Sequence, residues 1–331
     1  MPIAIIDGIA TRYEVTGSGA PLLMYAPAGL DATLDKWTTQ GVYAKTRLLE
    51  HLQKAYTCII FDRRECGQSG GRVERVTWAD YVAQGKGLLD HLGIERAHLL
   101  GGCMGCCPVA AFAVAHPLMV QSLVLYWPVG GAKYRLSSHQ RFAEHLAFVQ
   151  QNGLAAVVEL VTRGGKPFGS DPRGGPWASV IKHDRAFAEA YAKHEVEPYK
   201  LIVAGMARGL FDRDTAPGAE PEDLMRVNIP ALIVPGRDAA HATFGGALFG
   251  GMSAAGGILG CTGGGADGGD DAGAGAGVFG EGGGMRWRSP QETGVGPNSP
   301  VPNRGGSNSM SAAPGWPSRL RMLGAFPKRR R

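Results

Sequence analysis

Residues 97–116, AHLLGGCMGCCPVAAFAVAH, decide the fold. The stretch opens as an apolar run, 97–102, that predicts a buried strand, and residues 104–116 predict a helix. Between them Gly101-Gly102-Cys103-Met104-Gly105 has the form G-x-nucleophile-x-G with Cys at the centre. A strand that turns at once into a helix must reverse sharply, leaving the central side chain at the top of the sheet in a strained backbone conformation. Gly101 and Gly105 avoid collision with the neighbouring strand and helix. The helix N-terminus would then stabilise negative charge on the nucleophile or on a developing oxyanion.

The rhythm continues on either side. Residues 2–16 read as two short strands around an Asp7-Gly8 turn, and 21–27 and 57–61 as strands buried on both faces. Residues 42–56 have helical apolar spacing. The segment 77–93 opens on Thr77 with Asp80 three residues later and stops at Gly93, so both helix ends are marked. A further strand, 122–127, follows the central helix. Strands alternating with helices at this spacing predict a mostly parallel α/β sheet. Residues 131–228 carry helix-like segments (Gln140–Gln151, Leu154–Thr162, Trp177–His194, Pro198–Leu210) and no obvious strand, before 231–236 resumes the sheet with Asp238 just past its end.

These features resemble the α/β-hydrolase family over about residues 3–240. Asp62-Arg63-Arg64-Glu65-Cys66-Gly67-Gln68-Ser69 is similar to the family's D-x-R-G-x-G-x-S turn, with Glu65 where Gly is usual. The resemblance implies an α/β-hydrolase core (1–130 and 229–242) with a helical cap (131–228). It also implies the cysteine variant of the nucleophile found among dienelactone-hydrolase-like enzymes. Cys103 would be the nucleophile, Asp238 the acid, and the backbone N–H groups of Ala28 and Met104 the oxyanion donors. The expected chemistry is hydrolysis of an ester, lactone or related acyl bond in a small-molecule substrate, without a cofactor or metal.

Two further positions depart from the family's pattern. The oxyanion loop, usually His-Gly-x, reads Ala26-Pro27-Ala28, and Pro27 has no N–H to donate. The triad His should follow the acid by roughly 20–40 residues, yet the last His in the chain is His241, three residues past Asp238. An acid normally orients the imidazole from a different loop, so the sequence predicts a nucleophile and an acid without a base, and hence impaired catalysis. The remaining histidines read as structural (His116), as flanking the central strand at its far end (His91, His98), or as solvated positions on the helical segments (His139, His145, His183, His194).

Two other functions compete for the same residues. One is a non-catalytic binding or scaffold protein on a degenerate hydrolase fold. The other is a dithiol oxidoreductase using Cys103-Met104-Gly105-Cys106, although the usual Gly-Pro between the cysteines is missing.

Composition divides the chain. Of 51 glycines, 25 fall in residues 245–331, which carry nine Lys and Arg against five Asp and Glu and so account for +4 of the net +5. The body is therefore near neutral, and the basic balance is no argument for a nucleic-acid partner. Residues 243–331 read as a low-complexity disordered tail, and their Gly, Ala, Pro and Arg bias also fits GC-rich DNA translated out of frame. On that reading the core lacks its final strand, leaving the seventh as a bare edge. The start of the chain shows no secretory pattern, and the six cysteines read as free thiols in a cytoplasmic protein.

Overall fold

The Asp7-Gly8 turn forms as expected. Strands β1 (Ile3–Ile6) and β2 (Ile9–Thr16) pair antiparallel around it, with Asp7 at φ 49° and Gly8 at φ 70°, the left-handed pair that a two-residue hairpin requires. The computed structural model describes residues 1–236, 238, 240, 241 and 256–258. After β3 (Ala20–Tyr25) come three short helices, α1 (Lys36–Thr39), α2 (Gly41–Lys45) and α3 (Leu48–Leu52), the last two standing where the sequence predicts one helix over 42–56. The break falls at Arg47, whose φ of 49° no α-helix accommodates.

Strand β4 (Tyr56–Phe61) and helix α4 (Trp78–His91) follow; Thr77 and Asp80 form the predicted capping box. Then come β5 (Ala97–Gly102), a single 3-10 turn over Cys103–Gly105, α5 (Cys106–Ala115) and β6 (Val120–Tyr126). The insertion before the next strand is helical throughout: α6 (Ala132–Thr162), α7 (Ala178–His183), α8 (Arg185–Tyr191), α9 (Val196–Leu210) and α10 (Pro221–Leu224). Gly153, at φ 74°, breaks α6 where the sequence separates two helical segments. Strand β7 (Ala231–Val234) returns to the sheet.

The strand order is β1-β2-β4-β3-β5-β6-β7-β8, parallel from β4 to β8 with the hairpin antiparallel at one edge. The last member corrects an expectation. Strand β8 (Gly256–Ile258) lies in the region read as unstructured and pairs parallel with β7, from Ala231 opposite Gly256 to Ile233 opposite Ile258. The seventh strand is therefore covered. Glycine-rich sequence argues against structure through entropy, but a strand's ladder uses only main-chain groups. The other residues of the tail, 243–255 and 259–331, lie outside the described residues, as does the out-of-frame reading.

Both faces of the central strands are buried, which explains their unbroken apolar runs. On β3, Leu23 and Tyr25 join Tyr81 and Leu88 of α4 and Val109 and Phe112 of α5 in one core. Leu22 and Met24 point the other way, into a second core with Trp37, Tyr43 and Leu48 from the short helices. Each such fully buried side chain contributes about 1.5–3 kcal/mol through burial. Among the described residues no helix is long and apolar enough to cross a membrane.

Candidate active site

The turn after β5 has the geometry its sequence requires. Cys103 sits at φ 52°, a left-handed value costly for a side chain with a Cβ. A Cβ at Gly101 would collide with the Gly105 carbonyl, and one at Gly105 with the carbonyls of Tyr25 and Ala26. Glycine at these positions lets β5, α5 and β3 approach closely enough to lift Cys103 to the C-terminal edge of the sheet. There Cys103 is partly exposed, while Met104 is fully buried beneath it.

His241 occupies the place the sequence leaves empty. Its Nε2 lies 3.1 Å from Cys103 Sγ, and its Nδ1 lies 2.8 Å from Asp238 Oδ2. The expectation that no histidine lies beside Cys103 is thus corrected. Asp238 lies close enough to Ala240 and His241 for one carboxylate to do two jobs: its Oδ1 accepts the backbone N–H groups of Ala240 and His241 at 2.8 and 2.9 Å and still reaches the imidazole from behind. The end of β6 holds the ring: the Gly130 N–H donates to Ala240 O at 3.2 Å, and the Trp127 ring lies 5.5 Å from the imidazole. Gly236 completes the fit, since a Cβ there would collide with His241.

With Nδ1–H donated to the carboxylate, Nε2 faces Cys103 Sγ and can hold the proton that the thiol gives up. Burial disfavours the charged imidazole, but the hydrogen bond and charge of Cys103, with Asp238 behind, outweigh it and raise the His241 pKa to about 9. Asp238, although burial acts to raise it, is held below the usual carboxylate range by His241 and by the two N–H groups it accepts.

A cleft of about 570 Å³ opens over Cys103. Ala28, Cys103 and Met104 form its floor, and Tyr134, Ser138 and Arg141 of α6 face it with Phe168 and Phe211. Ala28 stands at φ 86°, and no described residue accepts its N–H. Lys36, also lining the cleft, is paired with Asp31 at 2.9 Å, whereas Arg141 has no ion-pair partner among the described residues. A larger groove of about 740 Å³ lies along the end of α6, away from Cys103 and His241.

The rest of the predicted constellation is structural. Cys106 is buried, its thiol donating to Gly101 O at 3.1 Å, and burial pushes its pKa, like that of Cys107, well up. The five described cysteines are unpaired, and among the described residues no cluster could hold a metal ion. His145 is another correction. It is fully buried rather than solvated, bridging Arg173 O at 3.0 Å and the Tyr199 hydroxyl at 2.6 Å. The Asp62 turn, too, is a scaffold: its carboxylate accepts Leu34 N and Gln68 N, each at 2.8 Å.

A family model for the alpha/beta hydrolase fold matches residues 22–152, from β3 through the central turn into α6. The chain has the α/β-hydrolase fold. Among curated relatives, a dihydrolipoyllysine-residue acetyltransferase component of an acetoin cleaving system from Cupriavidus necator is 35% identical over 127 residues, 38% of this chain and 32% of that protein. A 2-hydroxy-6-oxononadienedioate/2-hydroxy-6-oxononatrienedioate hydrolase from Pseudomonas putida is 43% identical over 82 residues, 24% of this chain and 29% of that protein. The match thus spans about a third of the length of each of these two relatives. Among solved structures, an alpha/beta hydrolase enzyme from a Medee basin deep-sea metagenome library is similar in fold, with a TM-score of 0.51 over 78% of this chain and 88% of that one at 17% identity.

Proposed function

We propose that the chain hydrolyses an ester, lactone or related acyl bond through a Cys103–His241–Asp238 triad. The contact of His241 with both Cys103 Sγ and Asp238 carries this reading. His241 Nε2 takes the thiol proton, and Sγ attacks the substrate carbonyl. The carbonyl oxygen, carrying the negative charge, meets the N–H groups of Ala28 and Met104. As the tetrahedral intermediate collapses, the carbon–oxygen bond to the leaving group breaks and His241 hands that oxygen its proton. Water, losing a proton to His241, then attacks the thioester carbon. The acid departs and the thiol is restored. No step needs a cofactor.

Arg141 supports a substrate bearing a negative group at the far end from its reacting carbonyl, since the cleft otherwise holds an unpaired cation. One of the relatives, the 2-hydroxy-6-oxononadienedioate/2-hydroxy-6-oxononatrienedioate hydrolase from Pseudomonas putida, supports a hydrolytic reaction.

An activated ester offered to the full chain tests the reading. Intact-mass analysis of quenched samples should find one acyl group on Cys103, and Cys103→Ala should abolish turnover. Turnover unchanged in Cys103→Ala, or acylation spread evenly over other thiols, would sink it.

A further inference from the structure

Arg63 is fully buried at the end of β4, and the acidic groups near it are already engaged: Asp62 by Arg12, and Glu65, Glu74 and Asp80 by Arg64. Among the described residues no carboxylate comes within ion-pair distance of its guanidinium. Nη2 donates to Ala28 O at 3.1 Å and to Gly29 O, while Nε and Nη1 are buried without a partner. The guanidinium lies 4.9 Å from the centroid of the Tyr81 ring, and the Arg63 N–H donates to Ala32 O at 3.1 Å. Side chain and main chain together therefore tie down the loop over residues 28–32.

An uncompensated buried cation is expensive, and an apolar residue would pack there at less cost. Its contacts indicate what it does. Because the peptide is trans and planar, a carbonyl held by Arg63 turns the following N–H the opposite way. With Ala28 O on the guanidinium, the Gly29 N–H is directed away from Arg63, and both residues line the cleft over Cys103. The same contact holds Ala28 at its left-handed φ of 86°, which needs outside support in a residue with a Cβ. This loop lacks the family's His-Gly pair and carries Pro27, which donates nothing.

We infer that Arg63 is a positioning residue: it sets the Ala28–Gly29 loop as an anion cradle beside Cys103 and supplies the positive potential beneath it. The thiolate or oxyanion at Cys103 is then the charge that compensates the buried guanidinium. The inference rests on Cys103 being the nucleophile. The charge of Arg63 acts on Tyr25, Tyr81, Cys66, Cys107 and Tyr134, whose pKa values burial raises, while Glu65 and Asp31, which act on the same Cys66, are paired with Arg64 and Lys36.

The test uses Arg63→Met and Arg63→Gln in the full chain, with folding checked by thermal denaturation. Two readouts are taken: iodoacetamide alkylation of Cys103 from about pH 5 to 9, and kcat and KM for an activated ester. Both variants should alkylate about tenfold more slowly at pH 7, with the profile moved to higher pH. Hydrolysis should lose roughly 10²-fold in kcat with KM nearly unchanged. If Arg63→Met does not fold, Arg63→Gln, which keeps a donor for the loop carbonyls, decides. A folded uncharged variant with the wild-type alkylation profile and kcat overturns the inference, even if its melting temperature has dropped. Failure of the hydrolase reading is separable: the wild type would then show no ester turnover, while the alkylation profiles still report on Arg63.

Discussion

His241 Nε2 and Cys103 Sγ are 138 residues apart in the chain and 3.1 Å apart in the fold. With Asp238 on the other ring nitrogen, this is the one place among the described thiols where a base stands beside a sulfur. Cys58 and Cys66 differ sharply, since burial pushes their pKa values up to about 11 and about 12. At pH 7.5, iodoacetamide should label Cys103 at least about 100-fold faster than either, as peptide mapping would reveal. His241→Ala should remove most of that preference and on the order of 10³-fold in kcat, and Asp238→Asn should remove less of both. Equal labelling of the three thiols would refute the pairing.

Cys103 also stores strain. At φ 52° its side chain occupies backbone space that suits glycine. Cys103→Gly should therefore raise stability by about 1 kcal/mol, read as a higher denaturation midpoint, while abolishing labelling at this site. A lower midpoint would mean that packing of the thiol outweighs backbone strain.

Arg141 gives the cleft a preference that kinetics can measure. Against a matched pair of esters, one neutral and one with a distal carboxylate, Arg141→Ala should raise KM for the charged ester about tenfold or more and leave the neutral one little changed. A similar rise for both would reduce Arg141 to a packing role.

The buried His145 makes stability fall in mild acid. Burial, opposed only by carbonyl contacts, lowers its pKa to about 4, against 6.5 unfolded. Between those values the unfolded chain binds more protons, so the contribution is complete above about pH 6.5 and is lost as pH falls toward 4. The loss is on the order of 2–3 kcal/mol. Urea midpoints measured across that range should fall in the wild type and flatten in His145→Gln, which stays neutral and can still bond Tyr199. Parallel curves for the two proteins would show that other groups set the acid limit.

The sequence by itself determined whatever depends on local spacing. Unbroken apolar runs at 21–25 and 57–61 announced strands covered on both faces, because each neighbouring side chain needs a core of its own. Gly101 and Gly105 around Cys103 announced the sharp turn, because the backbone clash that excludes a Cβ there lies within one strand–turn–helix unit and the β3 strand beside it. Tertiary structure decided the rest. That His241 lies beside Cys103 depends on how the end of β6 holds Ala240 and His241, and no spacing rule contains that contact. Arg63 in a charged motif and His145 on a helix face both read as ordinary polar positions; only packing between distant segments buries them. Strand β8 was hidden for a related reason: its pairing uses main-chain groups, which every residue but proline supplies, so its glycines carried no signal.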